Sequence, residues 1–288
     1  MNKKLIELLT NAVKRVCGSE SKIGIILSAG VDSTLIAIIA NKFTEITAYS
    51  CGIEGSLDLE CAENLKKYVD FDIKTLELSA KDIEKSLSDI VHAINDTNPV
   101  KVSVEVPFYF SSKEAHEDSI NVMLCGQGAD ELFAGYKRYI DILAEDGYKG
   151  VEKAIKRDVE DIWVEQLNKD STVCAINKID LRFPYMDEKF LNYTMNIPTE
   201  LKIYNTDEFE CVDFINNKKF VRKYILRKIA KEVGVPDFIL NRKKNAAQYG
   251  SGAWRIIDRI AREKGFKIKA REVGRKDYVR MFLEMLNK

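Results

Sequence analysis

Long apolar runs are missing from this chain. No stretch approaches the roughly 18 consecutive apolar residues that a membrane-spanning helix needs, so no membrane role is expected. An excess of charge of one sign is missing too. Lysine plus arginine and aspartate plus glutamate number 45 each, which argues against nonspecific nucleic-acid binding as the main task and leaves room only for a local basic patch. The six cysteines, at 17, 51, 61, 125, 174 and 211, never stand as C-x-x-C. A thiolate metal centre is therefore a poor reading, and buried, reduced thiols are expected. Prolines number only five, which with the lysine, glutamate and isoleucine bias would suit a thermophile. No repeat and no low-complexity linker interrupts the sequence, and the opening MNKKLIELLTNAVKRV is charged throughout with no cleavage signal after it. What remains is a 288-residue chain, 45% hydrophobic and 31% charged, able to bury a core without disulfide staples and expected in the cytoplasm.

The periodicity then sets the architecture. Leu5, Leu8, Leu9, Ala12, Val13 and Val16 form the stripe of an amphipathic first helix. The short run Ile23 to Leu27 reads as a buried strand, followed by a helix from Asp32 or Ser33 to about Phe43. EITAYSCGI, FDIKTLELS and INVMLCG read as further strands. SLDLECAENLKKYV, AKDIEKSLSDIVHAI and VPFYFSSKEAHE read as helices, the last with Pro107 in its first turn. Alternating strands and helices predict an α/β fold, a five-stranded parallel sheet covered on both faces. Residues 20–138 form the nucleotide-binding core of this expectation. Residues 139–288 read as a mostly helical layer with irregular stretches at LRFPYMDE and NRKKNAAQYGSG, completing one domain over 1–288.

One segment breaks the pattern of packing. Between two aliphatic runs stands Ser28-Ala29-Gly30-Val31-Asp32-Ser33, at a strand end where open parallel sheets bind ligands. Gly30 allows close backbone approach, the following helix points its amides at the loop, and Ser28 and Ser33 add hydroxyl donors, as phosphate oxygens require. Asp32 would repel phosphate unless a cation such as Mg²⁺ lay between. An ordinary helix cap also accounts for Ser or Asp here. The loop is not a Walker A sequence, because Gly-Lys-Ser/Thr is missing.

The loop resembles the Ser-Gly-Gly-x-Asp-Ser pyrophosphatase loop of the N-type ATP pyrophosphatases, with Ala29 replacing the first glycine. LCGQGADELFAGY, Leu124 to Tyr136, resembles the Gly-Glu-Gly-Ala-Asp-Glu-x-Phe-x-Gly-Tyr motif of asparagine synthetases, and LRFPYMDEKFLNYTM resembles a third segment of that family. Over about 20–260 the chain resembles the synthetase domain of asparagine synthetase and β-lactam synthetase. That resemblance implies an adenine nucleotide α-hydrolase-like fold, with ATP and Mg²⁺ as cofactors. It also implies adenylation of a small-molecule carboxylate, aspartate in the family, with release of AMP and pyrophosphate and transfer to ammonia or an amine. Because Met1-Asn2-Lys3 leads directly into the synthetase-like region, the glutamine amidotransferase domain is expected to be absent. Ammonia would then come from solution, from a separate glutaminase subunit, or from the substrate itself.

Residue by residue, the resemblance assigns Leu27, Ser28, Ala29, Gly30, Val31, Asp32 and Ser33 to the ATP loop. It assigns Ile53, Gly126 and Gln127 to the nucleotide's surroundings, and Asp32 and Asp130 to the metal. Lys223 matches a lysine near the pyrophosphate, and Lys244 matches the lysine of amide formation, with Lys243 one residue away as its rival. A solvated basic face is the ordinary fate of such lysines, and a surface ion pair that of Arg182. Two positions depart from the family. Gln127 stands where glutamate is common, and Asn95, with Asp96 beside it, stands where a catalytic-site glutamate is expected. A tRNA-modifying relative and a non-catalytic nucleotide-binding partner are the competing readings. The first would want a reactive cysteine pair and a basic surface, so nucleic acid is not the expected partner.

Overall fold

The computed structural model describes residues 1–243 and 247–287. Five strands, β1 (Lys22–Ile26), β2 (Glu45–Gly52), β3 (Asp72–Glu77), β4 (Val122–Leu124) and β5 (Asp180–Arg182), form one sheet in the order β3-β2-β1-β4-β5. All four pairings are parallel, with Gly24 opposite Thr47 on one side and Met123 on the other. The helices preceding β5 are α1 (Asn2–Cys17), α2 (Val31–Ala40), α3 (Leu57–Leu65), α4 (Ala80–Ile94), α5 (Pro99–Glu117), α6 (Ala129–Leu132), α7 (Arg138–Ile162) and α8 (Asn168–Ile176). A π-helix, Trp163–Leu167, joins α7 to α8.

Each central strand alternates between two cores because it is buried on both faces. Ile23, Ile25, Ala48 and Leu124 face the core under α1 and α2. Ile26, Tyr49, Met123 and Cys125 face the core under α4 and α5. The chain adds strands outward from β1 to β3, then crosses back to put β4 on the other side of β1. This reversal opens a crevice beyond the carboxyl ends of β1 and β4, the place where such sheets bind ligands.

Two expectations need correction. The fifth strand takes in the first two residues of LRFPYMDE, which had read as irregular, and at three residues it is too short to show a pattern. The second half is mostly helical, as expected, and carries a small second sheet as well. Strands β6 (Ile203–Asn205), β7 (Val212–Ile215) and β8 (Lys218–Arg222) form an antiparallel sheet in the order β6-β8-β7. Its hairpin turns at Asn216 and Asn217, both left-handed at φ 48 and 63, as the tight hairpin geometry demands. Finally, Pro107 lies inside α5, which starts at Pro99 with the Asn98 side chain capping Val100 N–H. The remaining helices are α9 (Glu188–Met195), α10 (Thr199–Lys202), α11 (Tyr224–Val233), α12 (Asp237–Leu240), α13 (Ala247–Gly250), α14 (Ala253–Glu263), α15 (Phe266–Glu272) and α16 (Tyr278–Leu286). Helices α11 and α14 complete the two layers, against α1 and α2 and against α4 and α5 respectively.

Candidate active site

The loop after β1 is wound tightly enough to bring Ser28 and Ser33 hydroxyls within 3.3 Å of each other. Ala29 takes a left-handed φ of 48 to make the turn, and its methyl is buried in the core. Gly30 caps α2, whose first turn carries Asp32 and Ser33. The loop after β4 packs directly against this turn. A side chain at Gly126 would stand 2.9 Å from Ser33 N and 3.0 Å from Asp32 Cβ, so only glycine fits.

The two metal-candidate aspartates meet. Lys223 Nζ, at the start of α11, lies 2.6 Å from Asp32 Oδ2 and 2.7 Å from Asp130 Oδ1. Lys223 is 1% exposed, so this is a buried three-charge cluster and not a solvated face. The rest of the GADELFAGY motif serves it. A side chain at Gly135 would stand 1.9 Å from Asp130 Oδ1 and 2.1 Å from Lys223 Cε. Tyr136 OH donates to Glu131 Oε1 at 2.6 Å. Burial, helped by Asp130, raises the Glu131 carboxyl above its ordinary range.

The residues present supply part of a divalent-ion site, with Lys223 Nζ between the two carboxylates. Asp32 Oδ1 is buried and accepts no hydrogen bond among the described residues. No cluster of three or more acidic, histidine or cysteine side chains with metal-binding geometry occurs among them either. Two carboxylates with the remaining positions left to phosphate and water is the donor set Mg²⁺ takes in nucleotide sites.

Two connected pockets flank the loop. The larger is lined by Leu27, Ser28, Asp32, Ser33, Gly126 and Gln127 and reaches back to Cys51, Pro107 and Phe108. The smaller is lined by Gly30, Val31, Lys223, Arg227, Arg242 and Lys243, and shares Ser28, Asp32 and Asp58 with the first. Its four cations outnumber its two carboxylates, so the recess carries net positive charge. Ile53 stands at the end of β2 but lines the neighbouring cleft with Arg255, its side chain pressed under Gly252. Asn95 caps α4 in a left-handed conformation, and Asp96 accepts from Asn98 N–H at 2.8 Å, so neither joins the pockets. Lys244 lies outside the described residues. Arg182 pairs with Asp180 and donates to Val16 O at 2.7 Å, away from the pockets.

Residues missed in the sequence hold the site together. Arg242 Nη1 donates to Ser28 O at 2.7 Å and Ala29 O at 2.9 Å, and its Nη2 reaches Asp58 Oδ1 at 2.6 Å. One guanidinium thus clamps the loop's carbonyls to α3. Arg222 ties β8 to Gly135 O and to Asp213. Tyr185, from FPYMD, donates to Asp32 O at 3.2 Å. Glu105 and Asp170 lie fully buried behind Gln127, joined through Gln166. Nothing in single-sequence periodicity brings residues 28, 58 and 242 together, so this support had no local signal.

The family model for asparagine synthase matches residues 4–149 and 143–287. The chain belongs to the asparagine synthase family. A Methanocaldococcus jannaschii protein with the provisional name asparagine synthetase (glutamine-hydrolyzing) 1 is 34% identical over 299 residues, covering 98% of this chain and 53% of that one. Rattus norvegicus asparagine synthetase (glutamine-hydrolyzing) is 24% identical, covering 84% of this chain and 42% of that one. The chain therefore spans about half the length of these curated relatives. Among solved structures, an NMN synthetase from Francisella tularensis is similar at a TM-score of 0.44 and 12% identity, over 100% of this chain and 93% of that one. Against this family background, the Ser28–Ser33 loop and the GADELFAGY motif are the segments that meet in space.

Proposed function

We propose that this asparagine synthase-family chain is an ATP-dependent ligase. It adenylates a carboxylate, releases pyrophosphate, and passes the acyl group to ammonia or another amine, with aspartate the first acid to test. The carrying observation is the convergence of Asp32, Asp130 and Lys223 beside the Ser28–Ser33 loop, with a cationic recess on one side and a mixed polar and apolar pocket on the other. The loop's hydroxyls and the α2 amides suit the α-phosphate. The recess, with Lys223, Arg227, Arg242 and Lys243, suits the pyrophosphate on which negative charge grows as the bond to the α-phosphorus breaks. Magnesium bound by Asp32 and Asp130 would neutralise part of that charge. The deeper pocket, walled by Phe108 and Pro107, would keep water from the acyl-adenylate while the amine attacks.

The tRNA-thiolation reading finds no support in the thiols. Burial pushes Cys51 up to about 12 and holds Cys125 and Cys174 well above the ordinary thiol range, so they stay protonated and unreactive.

The test is incubation with ATP, Mg²⁺, aspartate and ammonium, with AMP, pyrophosphate and the amide quantified together. Equal amounts of all three are expected, and mass spectrometry of the trapped AMP ester names the acid. Release of ADP and phosphate, or pyrophosphate formed only when tRNA is added, would defeat the proposal.

A further inference from the structure

Behind the Gln127 wall of the pocket lies a buried acidic network that binding of ATP alone does not call for. Asp170, on α8, is 0% exposed, and so is Glu105, on α5. Gln127 Nε2 donates to Asp170 Oδ2 at 3.0 Å. Gln166 Nε2 donates to Asp170 Oδ1 at 2.6 Å and to Glu105 Oε1 at 3.2 Å. Gln166 is delivered by the π-helix Trp163–Leu167, a distortion that helices retain mostly at functional positions.

The chemistry of the donors fixes the orientation of the amide. An ionised carboxylate only accepts, so the face of Gln127 turned to Asp170 must be its NH₂ group. Gln127 Oε1 takes no hydrogen bond among the described residues, and Gln127 lines the pocket. We infer that Asp170 is a positioning residue that locks the Gln127 amide with its carbonyl oxygen toward the pocket, where it accepts an N–H of the incoming amine. This rests on the amide-forming reading above. It also accounts for the departure from glutamate at 127, because a third carboxyl against Asp170 and Glu105 would be repelled. An amide can orient an N–H but cannot take its proton, so the site suits an amine that arrives already neutral.

The charges facing Asp170 are few. Glu105 approaches from α5 and Glu131 from α6, while Lys169 acts on Glu105 from Asp170's own helix. Burial raises Asp170 to about 7, against the pull of hydrogen bonds from Gln166, Glu105 and Gln127. Burial first, and then the charge of Asp170, holds the Glu105 carboxyl well above its ordinary range. Below neutral pH, Asp170 gains a proton and no longer dictates which way the amide points.

The chain has only three glutamines, at 127, 166 and 248, so glutamine-selective ¹⁵N labelling resolves the side-chain amide of Gln127 in the full-length protein. Its amide resonances should move with an inflection near neutral pH, and Asp170→Asn, of the same shape, should abolish that movement. In parallel, hydroxylamine serves as the amine with aspartate and MgATP. Asp170→Asn should raise KM for hydroxylamine about tenfold, the scale of one lost hydrogen bond, with KM for MgATP within about twofold. Gln127→Asn, one methylene shorter, should reproduce that split. Gln127 amide resonances left in place by Asp170→Asn, an inflection that survives in Asp170→Asn, or equal changes in both KM values would overturn the inference. If the wild type forms no aspartyl hydroxamate, the ligase reading with aspartate has failed on its own, and the spectra still decide the role of Asp170.

Discussion

Lys223 adopts a left-handed φ of 55 at the start of α11, a conformation that costs a non-glycine residue on the order of 1 kcal/mol. The fold tolerates this because the ammonium then reaches two buried carboxylates at once. Replacing it by methionine leaves Asp32 and Asp130 facing each other without a cation. At neutral pH Lys223→Met should therefore destabilise the protein by about 3–5 kcal/mol in urea unfolding. A deficit below about 1 kcal/mol at neutral pH would mean that the cluster is not holding the two loops. Gly135 makes the complementary case. Gly135→Ala places a carbon where Asp130 Oδ1 and Lys223 Cε already are, so the pair must separate. A loss of about 1–3 kcal/mol is expected from overpacking. MgATP affinity, followed by calorimetry, should fall as well, because the displaced groups are those proposed to lie beside the phosphates.

Among the elements, the clamp made by Arg242 is one connection between the C-terminal half and the Ser28–Ser33 loop. Lysine cannot span three acceptors from one planar head. Arg242→Lys should raise KM for ATP about tenfold while leaving the sheet intact, as judged by unchanged circular dichroism. An unchanged KM would show that the loop holds its shape without the clamp. The same element-level view explains what the sequence disclosed. The core strands were legible because burial on both faces leaves uninterrupted aliphatic runs, as in Ile23 to Leu27. The loop 28–33 was legible because its polar residues make no sense as packing. The antiparallel sheet was not, since β6, β7 and β8 are 3, 4 and 5 residues long and largely polar on their open face. Its turn, Asn216-Asn217, lacks the glycine that usually marks a hairpin. Asn217, at φ 63, should accept glycine with a gain on the order of 0.5 kcal/mol in thermal or urea unfolding. Asp58, Asp170 and Glu105 were invisible for another reason. A lone carboxylate in a helical pattern reads as a solvated residue until the fold closes over it.

Across the whole molecule, acidic groups shifted in opposite directions shape the pH dependence of stability. Arg15 hydrogen-bonds to Asp187 and lowers its carboxyl. Asp158 is lowered too, because hydrogen bonds from Tyr139 and Arg138 outweigh its burial. Such groups contribute stability above the unfolded carboxylate range and lose it as pH falls through their folded values. Glu105 and Asp170 act with the other sign. Their folded values are raised, chiefly by burial, so between about pH 4 and Asp170's value of about 7 the native state holds protons that the unfolded chain has released. Their contribution is present in acid and is lost as pH rises toward neutrality. The double variant Glu105→Gln/Asp170→Asn keeps the shapes and removes both titrations. Urea unfolding of the two proteins between pH 4.5 and about 8 should show the wild type losing stability relative to the variant as pH rises. Parallel profiles would mean that the buried pair does not change its protonation on folding. A difference that grew toward acid would reverse the sign, placing Glu105 and Asp170 with the lowered carboxylates.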